Sequence, residues 1–308
     1  VSRHEEPCCL CRHMLAASVK LWSKPVMNSR HAYHAGNFAD VVKHVIVARI
    51  VEYLKQKDKA FRVIDTHAGI GLYDLGSGEA GKTGEWHGGA GKVLDAAFSP
   101  KVADLIAPWM KAVRSVNSDK TLRKYPGSPK LVKMLLRKQD RLSAIELHPE
   151  DARALAKQFA DDYQVRVIEL DGWLALGAHL PPKEKRGLVL VDPPFEEPAE
   201  FMRIVSGLRN AHARWPGGIY ALWYPIKDRK QVAQFRKDLK ATGIPKILDT
   251  ELFIRGPSPV SRLDGTGMII VNPPFTLEAE LKSILPELAK VMQEDKAGFS
   301  RVEWIAGE

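Results

Sequence analysis

Four short apolar runs, each closing on an acid, constrain this chain more than any other feature. They are Phe61 to Asp65 (FRVID), Leu142 to Glu146 (LSAIE), Val165 to Asp171 (VRVIELD) and Gly187 to Asp192 (GLVLVD). Each is too short for a helix and rich in β-branched residues, so each reads as a buried strand. Helical stretches such as 150–161 and 197–214 separate them, and strands alternating with helices imply a parallel sheet covered on both faces. Three further runs, 218–223, 246–254 and 267–271, extend the pattern. A helix over about 228–242 joins the first two. Only a loop (255–266) joins the last two, which predicts an antiparallel hairpin. The total is a seven-stranded, mostly parallel sheet. Ahead of it, Asn37 and Asp40 resemble a capping box opening a helix over about 38–57.

The rhythm fails once. More chain lies between Asp65 and Leu142 than one crossover requires, and a helical insertion over about 73–124 is expected there. Within 308 residues this makes one domain, 27–308. Residues 1–26, which hold Cys8, Cys9 and Cys11, show no periodicity and are expected to be a disordered extension or a mis-assigned start. Their CCLC spacing lacks the usual gap between zinc ligands, so no metal is expected. No apolar run is long enough to span a membrane. The net charge is +9, which favours a polyanionic partner. Ten Lys and Arg against two acids lie between Lys111 and Arg141, and that segment is expected to grip phosphates.

In doubly wound sheets, ligands sit beyond the carboxyl ends of the strands. Asp65 is followed there by a glycine turn ending at Gly71, too incomplete to be a dinucleotide fingerprint. Glu146 ends the second run and suits a ribose diol; Asp171-Gly172 ends the third, where a carboxylate can accept from an adenine amine. Asp192-Pro193-Pro194-Phe195 ends the fourth. Prolines lack the N–H that a strand needs, so the strand stops and its end becomes a rigid acceptor platform. The Asp192 carboxylate and the Pro193 carbonyl can each accept one proton of an exocyclic amine, and Phe195 offers a face for a base turned out of its stack.

The motif (Asp/Asn)-Pro-Pro-aromatic after the fourth strand is that of S-adenosylmethionine-dependent amino methyltransferases. Longer strings narrow the resemblance: Arg30 to His44 (RHAYHAGNFADVVKH), Asp65 to Gly69 (DTHAG), Tyr125 to Pro129 (YPGSP), Glu146 to Pro149 (ELHP), Tyr220 to Pro225 (YALWYP) and Gly267 to Pro274 (GMIIVNPP). From Met27 onward the chain closely resembles the bacterial family that N6-methylates an adenine of large-subunit (23S) ribosomal RNA (RlmJ). The resemblance implies a Rossmann-like fold with S-adenosylmethionine as methyl donor and no metal. It also implies ribosomal RNA as partner, a cytoplasmic setting, and neither a membrane nor an obligate protein partner. It implies donor contacts from His44, His67, Ser128, Glu146, Asp171, Gly172 and Asp192, with Asp192 handling the proton of the amine. Contacts to RNA are implied for Ser29, Arg30 and Phe195. Two positions depart from the family pattern: Ser29 and Phe195 both stand where it carries Tyr.

A second copy of the motif, Asn272-Pro273-Pro274-Phe275, follows the last run and has no charge to accept a proton; a structural turn is expected. Two rival readings remain: an adenine methyltransferase acting on DNA, and a non-catalytic RNA-binding protein that keeps the fold.

Overall fold

The computed structural model describes residues 33–76, 80–119, 121–196, 199–258 and 262–307. The expectations for residues 1–26, and for Ser29 and Arg30, lie outside them. Helix α1 (Phe38–Lys55) opens the described chain, with Asn37 accepting from the Asp40 amide at 2.9 Å and Asp40 accepting from the Gly36 amide at 3.0 Å. The sheet strands are β1 (Arg62–Asp65), β4 (Arg141–Glu146), β5 (Val165–Glu169), β6 (Gly187–Val191), β7 (Ile219–Ile226), β8 (Ile247–Phe253), β9 (Gly265–Val271) and β10 (Phe299–Ala306). Their spatial order is β10-β8-β9-β7-β6-β1-β4-β5. From β5 to β7 all pairs are parallel; β9 enters reversed between β7 and β8, and β10 is antiparallel to β8.

The sheet thus has eight strands where the sequence predicts seven. The eighth, β10, escapes notice because it is an edge strand with little burial and a charged alternation. It is held partly by ion pairs: Arg301 to Glu251 of β8, and Glu303 to Arg236 of the helix α9 (Arg229–Ala241).

The alternation of side chains along each strand divides the core in two. Val63, Leu142, Ala144, Leu188 and Leu190 face the layer that contains α1 and α10 (Leu277–Met292). Ile64, Ile145, Val189 and Val191 face α7 (Gly172–Ala178), α8 (Glu200–Arg214) and α9. Both faces of β6 are therefore covered, which explains its five consecutive buried residues. No helix among the described residues is long and apolar enough to cross a membrane.

Between β1 and β4 the chain forms α2 (Ala80–Thr83), α3 (Ala90–Asp95) and α4 (Pro100–Ser115). A two-stranded ribbon of β2 (Leu72–Asp74) and β3 (Lys124–Pro126) closes this excursion at its base, and α5 (Ser128–Leu135) returns the chain to β4. The basic stretch 111–141 does not form one face. It is spread over α4, β3, α5 and the turn before β4, and several of its cations are spent internally. Lys133 pairs with Asp162 at 2.8 Å, and Arg137 pairs with Asp140 at 2.9 Å.

Candidate active site

The carboxyl ends of β5, β4, β1 and β6 lie side by side, which brings Glu146, Asp65 and Asp192 to one edge of the sheet. Glu146 is buried, and its two oxygens accept from the Gly69 and His148 amides, both at 2.8 Å. It therefore sets the shape of the turn after β1 while retaining lone pairs for a ligand. Asp171 caps α7 by accepting from the Trp173 amide at 2.9 Å. Gly172 follows where nothing larger fits: a Cβ there would lie 2.1 Å from the Thr66 carbonyl oxygen and 3.0 Å from His67 Cε1. The turns after β1 and β5 are thereby pressed together, with the His67 ring edge-on to Trp173 at 5.5 Å and Nδ1 of His67 2.8 Å from the Thr66 hydroxyl.

Asp65 lies deeper still. Burial pushes its carboxyl up to about 6, against the hydrogen bond from Ser128, and the nearby Asp192 charge pushes the same way. Its Oδ2 is buried with no hydrogen-bond partner. An orphaned acceptor at a strand end, beside a glycine turn and a second carboxylate, fits a ligand bearing hydroxyl or amine hydrogens. Ser128 is buried at the start of α5, in the turn that carries Tyr125. His44 is seated behind that turn: it is buried in α1, stacks on the Tyr125 ring at 5.5 Å, and lies 2.9 Å from its hydroxyl. The imidazole supports the segment that presents Ser128.

On the other side of Asp192 opens a cleft of about 590 Å³. Asp192, Pro193, Pro194 and Phe195 form one wall, and Trp223 of β7 and Asp40 and Lys43 of α1 face them. Asp192 is only 2% exposed. Its Oδ2 lies 2.5 Å from Lys43 Nζ, and the same ammonium reaches Asp40 Oδ1 at 2.7 Å. Burial opposes the charge on Lys43, yet the Asp192 and Asp40 carboxylates hold its ammonium well above the ordinary lysine range. Burial likewise opposes ionisation of Asp40, and Lys43 holds its carboxyl far below the usual range. Phe195 adopts a left-handed backbone (φ 53°), with its ring edge-on to Phe201 at 5.0 Å and to Trp223 at 5.6 Å. At the mouth, Glu85 joins the excursion to the start of α1 by accepting from Asn37 at 3.0 Å and meeting His34 Nδ1 at 2.9 Å. That contact with Glu85 raises the pKa of His34.

Two half-sites therefore meet at Asp192: a nucleoside-sized row of acceptors on the β1–β4–β5 side, and an open cleft on the β7 side. Sequence reasoning singles out Glu146, Asp171, Asp192 and Phe195 but misses Asp65, Asp40, Lys43 and Trp223. The signal for Lys43 is visible afterwards, as the one lysine amid Val41, Val42 and Val45 on a helix face that must be buried, three residues after an acid. Asn272-Pro273-Pro274-Phe275 is not among the residues that line the cleft. Among the described residues no group of His, Cys, Asp or Glu is placed to hold a metal.

Parallel strands in this order, with one reversed strand near the edge and acids at the strand ends, define a Rossmann-like methyltransferase. The comparisons with known proteins then specify the family. The family model described as "Ribosomal RNA large subunit methyltransferase D, RlmJ" matches residues 58–306. Two relatives named "Ribosomal RNA large subunit methyltransferase J" are similar over their full length and 92% of this chain: one from Escherichia coli at 42% identity and one from Haemophilus influenzae at 43%. A crystal structure of a Legionella pneumophila protein superposes with a TM-score of 0.79 at 33% identity, covering 88% of this chain and 98% of that one. The chain belongs to the RlmJ family of ribosomal RNA large-subunit methyltransferases.

Proposed function

We propose that the protein transfers a methyl group from S-adenosylmethionine to the N6 amine of an adenine in 23S ribosomal RNA, as a cytoplasmic enzyme. The observation that carries this reading is the buried Asp192-Pro193 ledge standing between a row of nucleoside acceptors and a cleft large enough for a base. When bound, S-adenosylmethionine would supply an electrophilic methyl on a sulfonium sulfur, whose bond to that methyl would break with the electron pair kept by sulfur as a neutral thioether.

The chain's own residues do the rest. Glu146 accepts from the donor's ribose, Asp171 from its adenine amine, and the orphaned Asp65 oxygen from a further donor hydrogen. Phe195 and Trp223 receive the target base once it has left its stack, which is worth about 1–3 kcal/mol per stacked base. The target amine has its lone pair delocalised into the ring. Accepting one N–H at the Asp192 carboxylate and the other at the Pro193 carbonyl orients that lone pair towards the methyl. As nitrogen forms its new bond it gains positive charge, and the Asp192 carboxylate takes the proton that must leave. Lys43 fixes the carboxylate in one orientation through the 2.5 Å ion pair, leaving rotation of the side chain unavailable. His44, His67, Ser128 and Gly172 shape the donor side; Ser29 and Arg30 contact RNA.

The test is methyl transfer from labelled donor to RNA of cells lacking the enzyme, followed by nucleoside analysis. N6-methyladenosine in large-subunit RNA is expected. Label confined to DNA, or no transfer with intact donor binding, would sink the reading.

A further inference from the structure

The cleft where the target base would sit is not where the protein concentrates its positive charge. Among the residues lining it, Lys43, Lys227, Arg255 and Arg262 are matched by Asp40, Glu85, Asp192 and Glu294. The opposite edge of the sheet, at the amino ends of β4, β1 and β6, is quite different. Three turns meet there. Residues 55–62, 133–141 and 183–186 carry eleven Lys and Arg against Asp58, Asp140 and Glu184, and the adjoining turn before β5 adds Asp161 and Asp162. Three of those five acids are already spent, Glu184 on Arg62 at 2.9 Å, Asp140 on Arg137 at 2.9 Å and Asp162 on Lys133 at 2.8 Å.

The three turns form one built surface. Arg62 pairs in register with Arg141 on one side and Gly187 on the other. Arg137 donates to the Lys55 and Lys57 carbonyls at 3.0 and 2.8 Å, and Arg186 donates to the Lys59 carbonyl at 2.9 Å. Both guanidinium groups also lie against the Phe61 ring, at 5.7 and 5.9 Å.

A purely structural account explains only part of this charge. α1, α5 and α7 precede these strands, so their carboxyl ends, with partial negative charge, point to this edge. Arg137 and Arg186 answer that charge directly at the end of α1. Lys57, Lys59, Lys138, Lys183 and Lys185 do not. All five are exposed, and none makes a side-chain hydrogen bond or ion pair among the described residues. Five ammonium groups held at one edge by a hydrogen-bonded frame suit a regular array of phosphates.

We propose that this edge is a second RNA-backbone contact surface, remote from the catalytic cleft, that grips a duplex part of the ribosomal RNA substrate. The proposal rests on the reading of the protein as a ribosomal RNA enzyme. The strands between the two edges span about 17 Å at ~3.3 Å per residue. An RNA engaging both must therefore reach across at least that distance. A target of a few nucleotides reaches the cleft alone; a folded RNA reaches both.

The experiment measures affinity by fluorescence anisotropy, and methylation kinetics, on a labelled large-subunit RNA domain and on a short oligonucleotide containing the target. The full chain is compared with K57Q/K59Q/K138Q/K183Q/K185Q. A control variant replaces five exposed lysines elsewhere: Lys101, Lys111, Lys237, Lys282 and Lys290. Circular dichroism confirms that both variants fold. For the first variant, affinity for the domain is expected to fall at least about ten-fold, and the slope of log affinity against log salt to shrink by about four. KM for the domain rises in step, while kcat and all constants for the oligonucleotide stay within two-fold. An unchanged affinity and slope, or an equal loss in the control variant, overturns the second surface while leaving methylation by the wild-type chain intact. A wild-type chain that neither binds nor methylates RNA overturns both readings. Equal affinity for a DNA duplex, lost in the same variant, assigns the edge to nucleic acid in general and overturns its RNA role.

Discussion

Asp192-Pro193-Pro194-Phe195 and Asn272-Pro273-Pro274-Phe275 are nearly the same tetrapeptide after nearly the same strand, yet they lie at opposite edges of the sheet. β6 runs parallel to its neighbours and β9 runs against β7, so one copy emerges at the carboxyl edge and the other at the amino edge. Their surroundings differ accordingly. Asp192 is buried, paired with Lys43 and open to the cleft. Asn272 donates both amide hydrogens to the Pro216 and Gly218 carbonyls at 2.8 Å, tying the end of β9 to the turn before β7. Phe195 packs between Phe201 and Trp223, whereas Phe275 is 83% exposed and touches Tyr53 edge-on at 5.9 Å. The left-handed residue is the ring in the first copy and the amide in the second. A motif acquires a role from the direction of the strand that delivers it.

Exchanging the first residue between copies tests this most severely. Asp192→Asn makes the first tetrapeptide identical to the second; kcat is expected to drop about 10²–10⁴-fold with donor affinity within a few-fold, measured by single-turnover transfer and calorimetry. Retained activity would remove Asp192 from the mechanism. The reciprocal Asn272→Asp leaves kcat unchanged but sets a carboxylate against two carbonyls, costing about 1–3 kcal/mol in urea unfolding.

Lys43→Met sharpens the contrast between a charged and a neutral platform. It strands two carboxylates, the buried Asp192 and the part-buried Asp40, so a loss of about 3–5 kcal/mol is expected in denaturant titration, together with loss of transfer. A stable, active variant would show that the ion pair is dispensable.

Asp65→Asn probes the acid that the second copy has no counterpart for. The folded pKa of Asp65, about 6, lies above the ordinary 3.8. The native state therefore holds a proton longer than the unfolded chain does, and this group's contribution to stability falls as pH rises from about 4 to about 6. The Asn variant should be more stable than the parent by about 1–3 kcal/mol at pH 7.5, with the difference gone by pH 4. Donor affinity of the parent should rise over the same pH range, as the carboxyl loses its proton and becomes the better acceptor, and the Asn variant should lack that rise. A constant difference across pH would refute the burial argument.

The two rings give the smallest effects. Phe195→Ala should raise the RNA KM about ten-fold, in keeping with a lost stacking face, and Phe195→Tyr should change little. Phe275→Ala should shift stability by less than about 0.5 kcal/mol and leave KM alone.

Much of the site was legible in the strand-terminal residues. Glu146, Asp171 and Asp192 each close an apolar run, and in a parallel sheet consecutive run ends fall at one edge whatever the packing details. β10 was illegible because an edge strand with charged alternation has no core-facing signature. Asp65 closes an apolar run in the same way, but nothing local reveals that one of its oxygens is buried without a partner. The stretch 111–141 was legible only as charge density, which does not reveal which cations are consumed by carbonyls and carboxylates, as Arg137 and Lys133 are, and which stay exposed, as Lys138 does.

The sequence by itself determined the alternation of strands and helices, the stop that two prolines impose, and the family to which the motifs belong, because these depend on local sterics, hydrogen-bonding capacity and hydrophobic period. Only the tertiary structure decided that Lys43 meets Asp192 across 149 residues, that the second Pro-Pro copy faces away, and that three distant turns pool their lysines at one edge. Those outcomes depend on strand order and direction, which long-range packing selects and no short stretch of residues encodes.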